Sequence, residues 1–301
     1  MNTIRYCCMS ACAFVFVAAN GIFGSAAAND DLPLTVENLI TNQGKFKLDV
    51  SVTYSNSDRQ GVSAGEPITV QTGPTSFVTL PTVIGESQGN TDVLVGTAGL
   101  SYGLTSKAEI YTRASYLYSN TRNRDVSGIS NNSESRFVDA WLGMNYQFKK
   151  DDKTPAILGF AEVALSEKHR ESSSSFKSAM LGLTTYKAID PVVFSLTSAY
   201  RFNQTRKDGN ADYKPGNVLI VNPSVAFAVN DRVTLTTGLQ WTNRQADQLD
   251  GNAQGFRRTN TDLLLGVGYG ISKESTLNFT LRANTSGSNG SDLKLNYLHR
   301  F

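Results

Sequence analysis

Segments of about ten residues that alternate apolar and polar side chains, joined by connections that are short and long in turn, constrain this chain more than any other feature. Lys45 to Ser57 is the first, with Phe46, Leu48, Val50, Val52 and Tyr54 on one face and Lys45, Lys47, Asp49, Ser51 and Thr53 on the other. A helix scatters such a pattern around its axis, whereas a strand keeps a period of two on one face. Eleven more segments follow at 91–104, 108–119, 136–148, 155–166, 176–188, 192–203, 217–229, 233–243, 259–271, 275–284 and 292–301.

Tight turns at 105–107, 149–153, 189–191, 230–232 and 272–274 alternate with longer polar loops at 58–90, 120–135, 167–175, 204–216, 244–258 and 285–291. Short connections on one side and long ones on the other are the periplasmic and extracellular ends of a transmembrane barrel. The pattern therefore predicts an all-β fold, a closed antiparallel barrel of twelve strands over 44–301 with both chain ends in the periplasm. A soluble sandwich or propeller has no reason to keep one side's connections uniformly tight.

The compartment follows from the first residues. Arg5 precedes an apolar run from Cys7 to Ala19, and small residues through Ala28 follow it. That run is too short to span a bilayer as a helix and reads as a signal peptide over 1–28. The only cysteines, Cys7, Cys8 and Cys12, lie inside it, so the predicted mature chain offers no thiol for a disulfide, a metal or covalent catalysis. The formal net charge of +2 gives no basic stripe for nucleic acid.

Charge placement tests the barrel independently, because a lipid-facing Arg or Lys at the midplane costs about 2–4 kcal/mol. The predicted lumen face holds Lys45, Lys47, Asp49, Glu109, Arg113, Asp139, Glu162, Arg201, Asp262, Arg282 and Lys294, each opposite the apolar set of its strand. These are the pore-lining candidates, read either as an ion filter or as cross-strand pairs that stiffen the wall. On the fourth strand the predicted lipid face runs Val138, Ala140, Leu142, Met144, Tyr146 and Phe148. Aromatic residues near strand ends, Tyr54, Tyr118, Tyr200, Phe202 and Trp241 toward the loops and Tyr102, Tyr146, Phe148, Tyr269 and Tyr297 toward the turns, predict two interfacial girdles against outer-membrane lipid.

Ahead of the first strand, residues 29–43 place Leu34, Val36, Leu39 and Ile40 after Pro33, a spacing that suits a short amphipathic helix. It is expected either to fold into the barrel as a plug or to stay a periplasmic lead-in. The loop 58–90 holds strand-like pieces at 68–72 and 76–82, and the sequence does not choose between an extracellular hairpin and a constriction. The last strand ends on Phe301, which resembles the terminal signal that barrel assembly machinery reads.

Catalysis finds little footing. Only His169 and His299 exist as bases, one in a loop with Ser172 to Ser175 and one beside the C-terminus. Acidic loop residues are scattered, so no metal site or cofactor is expected, and the chain reads as a channel or transporter rather than an enzyme. A non-conducting barrel that scaffolds its loops is the alternative, with an outer-membrane hydrolase behind it.

The segments Tyr54-Ser-Asn-Ser-Asp-Arg, Gln71-Thr-Gly-Pro-Thr, Asn90-Thr-Asp, Leu100-Ser-Tyr-Gly-Leu-Thr and Glu109-Ile-Tyr resemble a family of outer-membrane barrels called meta-pathway phenol-degradation-like transporters. The barrel of the Fap functional-amyloid secretion channel is similar. The resemblance implies a twelve-stranded channel, a homotrimer, an N-terminal helix that gates the lumen, and export of amyloid polypeptides or passage of a small hydrophobic solute. The Fap channel carries a long periplasmic coiled coil before its barrel, where this chain has only 29–43 ahead of the first strand.

Overall fold

The computed structural model describes residues 40–301 except 65–67, 74–75, 81–83, 126–127, 170–171 and 287–289. The predicted leader and the plug candidates Leu34, Val36 and Leu39 lie outside the described residues; Ile40 is within them.

Twelve long strands form the wall: β1 (Phe46–Ala64), β2 (Ile84–Gly103), β3 (Ala108–Asp125), β4 (Gly128–Lys149), β5 (Ala156–His169), β6 (Ser178–Ile189), β7 (Val192–Asn203), β8 (Val218–Ala228), β9 (Val233–Arg244), β10 (Arg258–Gly270), β11 (Ser275–Asn284) and β12 (Gly290–Arg300). Each pairs antiparallel with its neighbour in sequence, and β12 returns to β1 from Lys47↔Arg300 to Ser57↔Gly290, closing the sheet. Closure gives every strand two partners, which a polypeptide in hydrocarbon requires because no water is there to satisfy a free edge. The short strand Ser172–Ser174 folds back on the end of β5.

The apolar faces turn outward. Leu142, Met144, Tyr146 and Phe148 of β4 are 38–60% exposed, while Trp141, of opposite parity on the same strand, is 1% exposed. Aromatic pairs mark the two interfaces. Phe46 lies 4.8 Å from Tyr102 and His299 lies 4.6 Å from Phe301 at the turn end, and Tyr200 lies 4.5 Å from Phe202 at the loop end. Amphipathic rings settle at headgroup depth, so these rows fix the barrel's height in the bilayer.

Two expectations change. Strands β1–β4 run 19, 20, 18 and 22 residues, beyond the roughly 9–11 that cross the hydrocarbon. Arg59 to Ala64 continues the ladder with Ile84 to Gly89, and Asn120 to Asp125 pairs with Gly128 to Ser133, so much of the loops expected at 58–90 and 120–135 is strand. Above the membrane both faces of these hairpins meet water, so the ladder persists where the apolar alternation that reveals it is lost. Ile68–Gly73 pairs with Ser76–Leu80 in a hairpin of its own.

The second change is a register shift. Ser115 pairs with Asp139 but Tyr116 pairs with Phe137, so Val138 is bulged out and Phe137, 39% exposed beside the outward Tyr116, takes the lipid position expected for Val138.

Candidate functional site: the barrel lumen

The periplasmic mouth is organised around Glu109, the second residue of β3, whose side chain is 1% exposed. Lys47 of β1 donates to both carboxylate oxygens at 3.1 Å, and Asn145 of β4 donates at 2.7 Å. The remaining donor comes from the lead-in: the Thr41 backbone N–H reaches Glu109 Oε2 at 2.6 Å. A carboxylate out of water needs its oxygens filled, and here a main-chain donor completes the set.

Residues 40–45 are thereby bound inside the mouth. Ile40 and Thr41 are 7% and 4% exposed. The Gly44 N–H donates to the Gly103 carbonyl at 2.9 Å and the Gly103 N–H donates to Lys45 at 3.1 Å, with Gln43 bridged parallel to Gly103. Gly103 allows this approach because it has no Cβ. One built there would lie 2.5 Å from the Thr41 carbonyl oxygen and 2.6 Å from the Asn42 carbonyl carbon.

Higher in the lumen, the Trp141 ring lies against two guanidiniums, Arg113 at 5.1 Å and Arg201 at 4.9 Å from its centroid. Arg113 pairs with Glu162 at 2.9 Å, and Glu162 also accepts from Tyr111 at 2.7 Å. Arg201 and Arg206 share Glu167, and Arg206, brought inward by the extracellular connection after β7, donates to Ser178 at 3.1 Å. This network ties β3, β4, β5 and β7 together across the lumen face.

Of the other pore-lining candidates, Asp49 accepts from Asn296, Asp262 accepts from Asn284, and Arg282 pairs with Asp292. Lys45 stands exposed at the mouth before β1, and Lys294 sits on β12 between Thr53 and Thr280. Asp139 keeps one buried oxygen without a protein partner. Sequence reasoning missed Trp141, Glu167 and Arg206. Trp141 shares the inward parity of Asp139 and Asn145, a signal that was there to find; Glu167 and Arg206 lay in stretches read as loops.

Beyond the wall, Arg206–Asp208, Ala211–Lys214, Asp247–Leu249 and Asn252–Gln254 form a small extracellular sheet. Asp247 knots it, accepting from the Gly216 N–H at 2.8 Å, the Tyr213 hydroxyl at 2.9 Å and Arg244 at 2.8 Å. Burial opposes its ionisation most strongly, yet these donors together hold the carboxyl below its ordinary value. A depressed carboxylate stabilises the folded form above its unfolded pKa, and the contribution is lost as pH falls below about 4. Asp247→Asn is expected to speed tryptic cleavage at Lys207 and Lys214 severalfold at neutral pH, and peptic cleavage of the native loop should rise in the same way on acidification. Unchanged cleavage would show that the knot does not hold the loops.

A closed barrel with an apolar, aromatic-bounded exterior and a charge-paired lumen is an outer-membrane β-barrel protein. The structure superposes on an outer membrane channel from Pseudomonas putida F1 with a TM-score of 0.61 at 14% identity, over 92% of this chain and 100% of that one. It also matches the translocator domain of the autotransporter NalP from Neisseria meningitidis, with a TM-score of 0.50 at 9% identity over 90% and 93%. At these identities the likeness speaks for fold. No curated protein matches the sequence. The chain belongs to the family described as MetA-pathway of phenol degradation, whose model matches residues 55–294.

Proposed function

We propose that this protein is an outer-membrane channel for small solutes, and that its own lead-in partly closes the periplasmic mouth. The observation that carries the reading is the lumen itself, where a cavity of about 590 Å³ remains along β6–β12. Membership of the family and the fold of the Pseudomonas putida channel support the same reading. Trp141 and its two arginines occupy lumen space at mid-height, which favours a small solute over the amyloid polypeptide, and the homotrimer stands as a separate proposal that solution mass would check.

A non-enzymatic role fits the surroundings of His299. Its Nδ1 lies 2.8 Å from Ser275 Oγ, and its ring sits in the outward aromatic row between Tyr297 and Phe301, away from the lumen.

The test is single-channel conductance of the refolded protein in a planar bilayer, with and without residues 29–43. Steps that grow on truncation support a plugged channel; silence from both folded forms would leave a filled barrel that serves its loops. Arg113→Ala and Arg282→Ala take the paired cation from Glu162 and Asp292, so each is expected to shift selectivity toward cations by about twofold or more. Unaltered selectivity in both would reduce these charges to wall stiffeners.

A further inference from the structure

Tyr111, Gly143 and Glu162 stand side by side on β3, β4 and β5, in one row that faces the lumen. The Tyr111 ring leans along that row instead of standing out from the wall. Its far edge covers Gly143, and its hydroxyl passes over the glycine to donate to Glu162 at 2.7 Å. Adjacent strands are about 4.8 Å apart, so a carboxylate two strands away is within reach only of a ring that lies down over the strand between them. Glu162 is itself held by Arg113 at 2.9 Å, which fixes the far end of the ring.

The ring, and not the backbone, is what requires a glycine at 143. The φ of Gly143 is not positive, and a glycine inside a strand weakens it. A Cβ built there would lie 2.7 Å from the Tyr111 hydroxyl oxygen and 2.8 Å from Cε2 of its ring, and its three nearest neighbours all belong to that side chain. The conflict is with the free end of one residue, which yields by turning about its own bonds while the wall stays in place.

The arrangement recurs in the next lumen-facing row toward the turns, where the Phe160 ring covers Gly182 of β6. There a Cβ would also meet the Ser198 carbonyl oxygen at 2.9 Å, so the wall itself restrains Gly182. Trp141 stands opposite another small residue, Ala164, which is fully buried. Each of these three large side chains faces a small residue on the following strand. Seated this way, the Tyr111 and Phe160 rings stay clear of the 590 Å³ cavity, whose described lining comes from β6–β12.

We infer that Gly143 is a size-determining position of the channel: it seats Tyr111 against the wall, and any larger residue there turns the ring into the passage. The inference rests on the channel reading and adds a residue that sets how wide the passage is.

Single-channel conductance of the full chain is compared among Gly143→Ala, Tyr111→Ala and the two combined. Gly143→Ala should lower the step size about twofold, and adding Tyr111→Ala should restore it, because the new methyl group then has no ring to displace. Gly159→Ala is the control on the other side of the wall. Its Cβ would crowd the Phe148 ring at 2.5 Å, but that ring faces lipid, so the step size should not change. Fluorine NMR of the protein carrying 3-fluorotyrosine follows the ring itself, with the Tyr111 resonance identified by its loss in Tyr111→Phe. Gly143→Ala should move that resonance to the position of a water-exposed fluorotyrosine.

Unchanged steps in Gly143→Ala, an equal fall in Gly159→Ala, a reduction that Tyr111→Ala does not relieve, or a resonance that stays where it was would each overturn the inference while leaving a channel. Failure of Gly143→Ala to fold, with or without Tyr111→Ala, would overturn it as well, since the wall would then need the glycine. A resonance that moves as expected while the full chain and its Gly103→Val variant, both folded, never conduct would overturn the channel reading itself.

Discussion

Glu109→Leu is expected to release the lead-in from the barrel without unfolding the wall. The substitution removes the acceptor for the Thr41 N–H and strips Lys47, 13% exposed, of its counter-charge. Breaking a buried pair from one side costs about 3–5 kcal/mol, because the surviving charge stays out of water. Amide exchange at Thr41 should therefore accelerate by roughly two orders of magnitude or more, and open events in single-channel records should become frequent. The two consequences separate in a double variant. Lys47→Met with Glu109→Leu removes both members of that pair, so the barrel's heat stability should recover in part while Thr41 stays unprotected. Protection of Thr41 that survives Glu109→Leu would show that other contacts hold the segment.

The barrel was legible because a bilayer imposes period two on lipid-crossing strands, and Phe46 to Tyr54 or Leu142 to Phe148 record it without ambiguity. Legibility failed where that solvent ends. Arg59 to Ala64 and Asn120 to Asp125 carry no alternation, since water bathes both faces there and only the backbone ladder continues. It failed also at Val138, because a bulge inserts one residue and reverses the inward and outward sides beyond it, and nothing in Arg136-Phe-Val-Asp marks where the extra residue goes.

Within the lumen, parity alone placed Glu109, Arg113 and Glu162 on the inner face, but not their partners. Glu109 meets Thr41 across 68 residues of sequence, and the contact is made by a backbone N–H, which leaves no trace in residue type. Arg206 reaches Glu167, near the end of β5, because the connection after β7 folds inward, a tertiary event that a composition read as loop conceals.

Gly103→Val should open the same gate from the other side. Gly103 faces the lumen where Thr41 and Asn42 cross it, and a β-branched side chain would demand the volume that their carbonyls occupy. Backbone held by the Gly44 and Lys45 hydrogen bonds cannot yield by a rotamer change, so the lead-in has to lift away. Gly96 is the matched control. It lies on the same strand with opposite parity and open space where its Cβ would be, so Gly96→Ala should leave conductance as it was. If the lead-in is the gate, Gly103→Val should conduct like the form lacking 29–43, and combining the two should add nothing further, because both act on one segment. Conductance in the combined variant well above that of either alone would mean that Gly103 restrains a part of the lumen other than the lead-in.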